Sequence, residues 1–326
     1  MSESENLGSA ADTWHDPVRV LAIDGGGIRG IIPTVVLAEL EARIGSPVSS
    51  VFDLIAGTSI GGIIALCLAA PGESGGPAWT AAHLLEIFEK AAHEIFVPAG
   101  HSILHGILHY RYASEFIEAT LTRYLGESLL SHAVCDVLLT TYDLNDRELI
   151  FLNSMDAKAD AKHDLPMWVA GRATSAAPTY FEPARMLAQD PRLLLDGAVC
   201  ANNPAMCAFA EVIKYRKSFD MLLVSLGTGS SSETISHHQV RDWGLAQWAR
   251  PILHVIMDGA SDAVHRQLRE ILPGEAYHRF QVDLLHASES MDDASPENIE
   301  RLFLDARRLI KASDRELDTI CTLLAK

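Results

Sequence analysis

Basic residues are scarce in this chain. Lys and Arg number 26 against 43 Asp and Glu, a formal net charge of −17 over 326 residues. Such a balance repels nucleic-acid phosphates and disfavours steady electrostatic docking on anionic lipid, while leaving transient contact through an apolar surface open. Cysteine is sparse as well. Cys67, Cys135, Cys200, Cys207 and Cys321 are odd in number, widely spaced and lack any C-x-x-C. That argues against a disulfide frame or a zinc site and predicts buried free thiols in a reducing compartment. Paired-His motifs and carboxylates at calcium-loop spacing are missing, so no metal and no cofactor is expected. The longest apolar run, Gly61 to Ala70, falls short of the roughly 20 residues that cross a bilayer. Met1 to Asp16 are polar and acidic, without the basic start and apolar stretch of a signal peptide, so a cytoplasmic protein is expected.

Hydrophobic residues make up 48% and charged residues 21% of the chain, ordinary for a globular protein with a sizeable core. Residues 1–17 read as a loose tail. Val18 to Ile23 is a short apolar strand, Asp24 to Gly30 a glycine loop, and Ile31 to Arg43 a helix with Pro33 in its first turn, where proline is tolerated. Phe52 to Ala56 reads as a second strand, and a helix follows Ser59 to about Pro71. Thr80 to His93 has helical amphipathicity. Phe96 to Tyr112 is irregular, either a flap or a packed connection. Val134 to Thr141 and Glu148 to Asn153 read as strands joined by a turn at Asp143 to Asp146. Met167 to Ala177 and Pro204 to Lys217 read as helices, Leu193 to Leu195 and Met221 to Leu226 as strands. Gly229 to Asp242 is polar and reads as a surface loop. The remainder is mainly helical, apart from a strand at Tyr277 to Leu284 and an acidic loop near His286 to Asn298. Alternating strands and helices point to an α/β fold whose parallel sheet is covered on both faces.

Two glycine-rich stretches carry chemistry. Gly57-Thr58-Ser59-Ile60-Gly61 joins a strand to a helix through a turn tight enough to expose its central serine, the geometry of a nucleophile. By chance alone a G-x-S-x-G falls in about one chain in ten of this length, so a Ser that merely caps a helix competes with the nucleophile. Asp24-Gly25-Gly26-Gly27-Ile28-Arg29-Gly30 also follows a strand and opens a helix. Its amides can turn toward one anion, either a dinucleotide pyrophosphate or the oxyanion of acyl transfer. Gly25, Gly27 and Gly30 satisfy G-x-G-x-x-G, but the acidic residue that nucleotide folds want at the end of the second strand is missing, since Asp53 stands at its start. The oxyanion fits better. With the two strands side by side, Gly25, Gly26 and Gly27 face Ser59 and, with the Ile60 amide, form the hole. Arg29 either shapes the loop, meets a phosphate headgroup or makes a surface salt bridge.

The base is open between a histidine and an aspartate. His237, His238, His254, His265, His278 and His286 lie downstream, none in a distinctive motif. Asp196-Gly197-Ala198 ends a short strand with small neighbours, and a buried carboxylate with a raised pKa can take a serine proton. An aspartate in a tight turn is the competing explanation.

Five segments in order resemble the patatin-like phospholipases: Leu21 to Pro33 (LAIDGGGIRGIIP), Phe52 to Gly62 (FDLIAGTSIGG), Ala173 to Pro183 (ATSAAPTYFEP), Asp196 to Pro204 (DGAVCANNP) and Leu223 to Gly229 (LVSLGTG). The resemblance implies a three-layer fold, a mostly parallel sheet flanked by helices, with residues 18–229 as the catalytic domain. Residues 230–326 would be a mainly helical part packed on the same domain. It implies a Ser59–Asp196 dyad without a catalytic histidine, an oxyanion hole at Gly25, Gly26, Gly27 and Ile60, and supporting roles for Asp24, Arg29, Gly30, Gly57, Gly61, Gly197 and Ala198. Ala176 to Phe181 and Asn202 to Pro204 would buttress the site. The implied substrate is a membrane phospholipid or galactolipid, met in transient contact with the membrane surface. Phe96, Ile103, Leu104, Ile107, Leu108 and Tyr110 are expected to line an acyl entrance. Two rivals stand beside this reading: a Ser-His-Asp carboxylesterase, and a lipase gated by an activating ligand, a partner or a second copy as homo-oligomer.

Overall fold

The computed structural model describes residues 14–97, 110–186, 191–217, 219–231, 236–248 and 251–325. In chain order the strands are β1 Val18–Ile23, β2 Leu54–Thr58, β3 Asp136–Asp143, β4 Glu148–Asn153, β5 Ala184–Met186, β6 Arg192–Asp196, β7 Met221–Leu226, β8 Ser230–Ser231, β9 Tyr277–Phe280 and β10 Asp283–Leu284. The α-helices are α1 Ile31–Ile44, α2 Ile60–Ala69, α3 Ala81–Ile95, α4 Ser114–Leu125, α5 Ser154–Ala159, α6 Met167–Thr174, α7 Ala198–Ala201, α8 Ala205–Arg216, α9 His237–Val240, α10 Leu245–Trp248, α11 Pro251–Ile271, α12 Pro296–Ala312 and α13 Asp314–Leu324.

The main sheet runs β5-β6-β3-β2-β1-β7-β9, with β4 paired to β3. β1 lies parallel between β2 and β7, and every one of its residues is buried. An unbroken apolar strand of this kind belongs at the centre of a sheet covered on both faces. Its side chains divide by the two-residue period of a strand. Leu21 and Ile23 join a core with α1, α2 and α12 on one face. Val18, Val20 and Ala22 join Trp14, Phe209 and Val212 on the other. The result is a three-layer α/β fold. Helix α2, IGGIIALCLA, is apolar on all sides and lies inside.

Several boundaries differ from the sequence expectation. β2 starts at Leu54 and continues through Gly57 and Thr58, so the turn is tighter than expected. α6 stops at Thr174, because Pro178 disfavours a helical Ala177. The loose tail ends by Trp14, which is buried and donates its indole N–H to Asp136 at 2.8 Å; residues 1–13 lie outside the described residues. Helix α4 has no counterpart among the elements expected from sequence. The 277–284 stretch breaks into β9, which extends the main sheet beside β7, and β10, which pairs with β8. The polar segment after Gly229 contains β8 and α9. All five cysteines are free, but only Cys67 and Cys135 are buried, and Cys200 is exposed.

Candidate active site

Ser59 occupies the joint between β2 and α2 with φ 56° and ψ −124°. Non-glycine residues avoid this region, and holding one there costs about 1–3 kcal/mol. The surroundings enforce it. A Cβ at Gly57 would overlap Gly61 O, and one at Gly61 would overlap Ile23 O, so only glycine lets β2, α2 and the end of β1 approach this closely. The Ser59 amide donates to Thr174 Oγ1 at 2.9 Å, and that hydroxyl donates to Thr140 O at 2.7 Å.

Strand β3 brings Asp196 to the serine. β4 pairs with β3 from residue 138 through 143, so β2 and β6 share its other edge. β2 runs parallel and ends with Thr58 opposite Thr140. β6 arrives antiparallel and ends with Asp196 opposite Thr141. The two strands therefore meet tip to tip, and Ser59 Oγ donates to Asp196 Oδ2 at 2.6 Å. The other oxygen accepts the Ala198 amide at 2.8 Å. Gly197 permits this close turn, since a Cβ there would overlap Thr140. Asp196 is buried. Loss of water pushes its carboxyl up to about 7, against the opposing pull of the Ser59 and Ala198 hydrogen bonds.

The glycine loop stands at the carboxyl end of β1, beside that of β2, where open α/β sheets present their sites. Its parts divide the work. The Gly25 amide is already committed, donating to Asn202 O at 3.1 Å. The amides of Gly26, Gly27 and Ile60 have no protein acceptor among the described residues, and all three residues line the cavity at Ser59. Gly26 and Gly27 have φ 157° and 58°, and a Cβ on either would strike Thr228 or Met291 O. A Cβ at Gly30 would press on Ile60. Asp24 points away from the serine into a two-pronged ion pair with Arg279 on β9, at 2.8 and 2.5 Å. Arg29 is buried, which removes the surface salt bridge. Its Nε lies 3.4 Å from Gly26 O, and its charge faces Asp258 and Glu289.

An apolar cavity of about 230 Å³ opens from Ser59 and Asp196 between α2, α3 and α4. Ile63, Phe88, Phe96, Leu121 and Leu125 line it, and it reaches Cys67, about 12 Å along α2 from Ser59 at the helical rise per residue. Of the side chains expected at an acyl entrance, Phe96 lines the cavity. Tyr110 is exposed outside its lining, and Ile103, Leu104, Ile107 and Leu108 lie outside the described residues. No histidine lines the cavity among the described residues. His265 faces Tyr277, His278 faces Glu316 and His286 faces Asp305. Among the described residues no group of three or more His, Cys, Asp or Glu side chains is arranged to hold a metal ion.

A family model, Patatin-like phospholipase, matches residues 21–209. The chain belongs to this family. Patatin-like protein 2 of Arabidopsis thaliana is 30% identical over 92% of this chain and 84% of its own length. Patatin-17 of Solanum cardiophyllum is 29% identical over 90% and 84%. Among solved structures, VipD from Legionella pneumophila is similar over 90% of this chain and 67% of its own, at TM-score 0.43 and 10% identity.

Several side chains at this patatin-like site have roles that the sequence motifs do not announce, although Thr58 and Thr174 stand inside those motifs. Thr140 and Thr174 hold the serine amide, and Thr58 Oγ1 donates to Ala201 O at 2.7 Å, tying β2 to α7. Beyond the matched stretch, Arg279 holds Asp24 and Met291 O accepts the Ile28 amide at 2.9 Å. Thr174 sits inside the ATSAAP segment, which is its one sequence signal. Arg279 and Met291 carry no local signal, because Arg279 is brought in by the pairing of β9 with β7 and Met291 by the loop that follows β10. Among the described residues no helix is long and apolar enough to cross a membrane.

Proposed function

We propose that this patatin-like protein is a phospholipase A-type acyl hydrolase that cleaves fatty-acyl esters of membrane lipids with a Ser59–Asp196 dyad. One observation carries the reading: the 2.6 Å Ser59–Asp196 hydrogen bond lies at the head of an apolar cavity. The cavity suits a fatty-acyl chain, and its polar end suits the ester carbonyl. Ser59 Oγ attacks the carbonyl carbon as Asp196 takes the hydroxyl proton. Charge developing on the carbonyl oxygen is met by the amides of Gly26, Gly27 and Ile60, donors of a kind worth about 3–4 kcal/mol each in acyl transfer. The tetrahedral intermediate collapses, the C–O bond to the alcohol breaks, and Asp196 returns its proton to that alcohol. Water then attacks the acyl-serine carbonyl as Asp196 takes its proton, the bond from the carbonyl carbon to Ser59 Oγ breaks, Asp196 returns the proton to Ser59 Oγ, and the fatty acid leaves. A carboxyl near 7 matches a base that must be ionised yet still basic at neutral pH. Gly25, whose amide is already used, supports the loop without donating to the oxyanion.

The test presents wild type and Ser59→Ala with a panel of phospholipids and galactolipids and follows products by mass spectrometry. Free fatty acid and lyso-lipid from wild type alone are expected. Equal release by the two proteins, or none from any lipid, overturns the reading.

A further inference from the structure

The cavity wall does not end at the protein surface; it continues onto it. Ile256 and Met257, in the first half of α11, line the cavity, and Ile256 is also 50% exposed. Val255 at 47% and Ile252 at 39% stand beside it, at the three- and four-residue spacings that share one helix face. Just before this helix, the rings of Trp243 and Trp248 pack edge to face at 5.1 Å. On another wall of the cavity, Phe96 is followed by Val97, 37% exposed. Scattered exposed apolar residues are ordinary. A row of them that runs into the substrate cavity is a marker of an interaction surface.

We propose that the amino-terminal half of α11, with the Trp243–Trp248 pair, is the face on which this protein sits on a zwitterionic lipid surface. The inference rests on the acyl-hydrolase reading and names where its substrate enters. An ester carbonyl of a bilayer lipid lies at the headgroup level, with its acyl chain below. An acyl hydrolase acting on such a lipid has to bring its cavity mouth to that level. Aliphatic side chains on one side of a helix, with tryptophans just before it in the chain, favour that boundary. Charge selects the lipid. Asp242 is paired with Arg241 and Asp262 with Arg266, and Asp258 faces Arg29, so the acids beside the patch are locally balanced; the chain as a whole carries −17, which repels an anionic surface and leaves an uncharged or zwitterionic one accepted.

The experiment uses the double variant I252D/V255D, whose side chains are exposed and outside the cavity lining. Vesicle flotation is done in the Ser59→Ala background, so that binding is read without turnover. Hydrolysis of vesicle phosphatidylcholine and of a soluble short-chain ester is read with Ser59 intact. The variant is expected to lower partitioning onto phosphatidylcholine vesicles at least about tenfold, as introduced charge opposes burial of apolar surface. Vesicle hydrolysis should fall in parallel, with the soluble-ester rate within about twofold of wild type. Replacing part of the phosphatidylcholine with phosphatidylglycerol should weaken wild-type binding at low salt. Unchanged partitioning in I252D/V255D, or tighter binding to the anionic vesicles, overturns the proposal. So does a wild-type dimer that the variant dissociates while vesicle hydrolysis persists, since the patch would then be a self-interface. Failure of the hydrolase reading shows separately, as no turnover of either ester, and flotation still decides the docking face.

Discussion

Replacing Asp196 by Asn should cost activity and increase stability, with a pH dependence that isolates the cause. In the folded protein the carboxyl is lifted from the ordinary 3.8 to about 7 by burial. In the unfolded chain it has its ordinary value. Above about pH 4 the unfolded state has therefore released a proton that the folded state still holds. Unfolding is increasingly favoured as pH rises, until the folded carboxyl ionises as well. The stability contributed by this group is fully present at low pH and is lost between about pH 4 and 7, at about 1.4 kcal/mol for each pH unit and about 4 kcal/mol in all. An asparagine can keep both contacts, its oxygen accepting the Ala198 amide and its NH2 donating to Ser59 Oγ, without ever ionising. Denaturant unfolding of wild type and Asp196→Asn should give similar stabilities at low pH. Between about pH 5.5 and 8.5 the gap should widen by about 2 kcal/mol in favour of the variant and then level off. The kcat/KM of wild type should fall below about pH 7 along the same titration, and the variant should lose at least about 10²-fold. A stability gap independent of pH, or wild-type turnover in Asp196→Asn, would refute the buried-base reasoning.

Ser59→Gly and Ser59→Ala should both abolish turnover, but the glycine variant should be more stable by about 1 kcal/mol in denaturant unfolding, because only glycine relaxes at φ 56°. Arg279→Met should destabilise the fold by about 3–5 kcal/mol, since it strands the Asp24 carboxylate inside the protein. The paired change Asp24→Asn with Arg279→Met should recover part of that loss in a double-mutant cycle. Gly61→Ala should be destabilising by more than about 3 kcal/mol, because its Cβ meets the backbone carbonyl of Ile23. At Gly76, where a Cβ meets nothing within 4 Å, alanine should be neutral or slightly stabilising in thermal unfolding. Leu121→Trp, which fills the acyl cavity away from Ser59, should shift hydrolysis toward shorter-chain esters in a chain-length series without changing the pH profile.

Features that depend on neighbours along the chain are legible in the sequence. The apolar run Val18 to Ile23 can hide only between two covered faces, and it does. The glycines around Ser59 admit a strand-to-helix turn whose middle residue is forced to positive φ. The DGGGIRG loop needs its glycines because backbone and side chains press on it from Thr228 and Met291. The ends of elements are less legible. The apolar pattern of α6 runs on to Ala177 although the helix stops at Thr174 ahead of Pro178, and α4 is missing from the sequence expectation although Ile117, Leu121 and Leu125 recur at helical spacing.

Short-range chemistry thus points to Ser59 as the proposed nucleophile, to the glycine loop as the proposed source of amides, and to a mostly parallel sheet beneath them. Those outcomes follow from φ preferences, side-chain periodicity and turn chemistry over a few residues. Which group meets Ser59 depends instead on the assembled layers. β2 and β6 arrive from opposite directions on one edge of β3, and their register brings a carboxylate, not an imidazole, within 2.6 Å. Other long-range contacts spend the Gly25 amide on Asn202, brace Asp24 with Arg279 from 255 residues away, and set α4 against the apolar cavity. Register and such distant contacts are set by the packing of whole layers, which no short window of sequence contains.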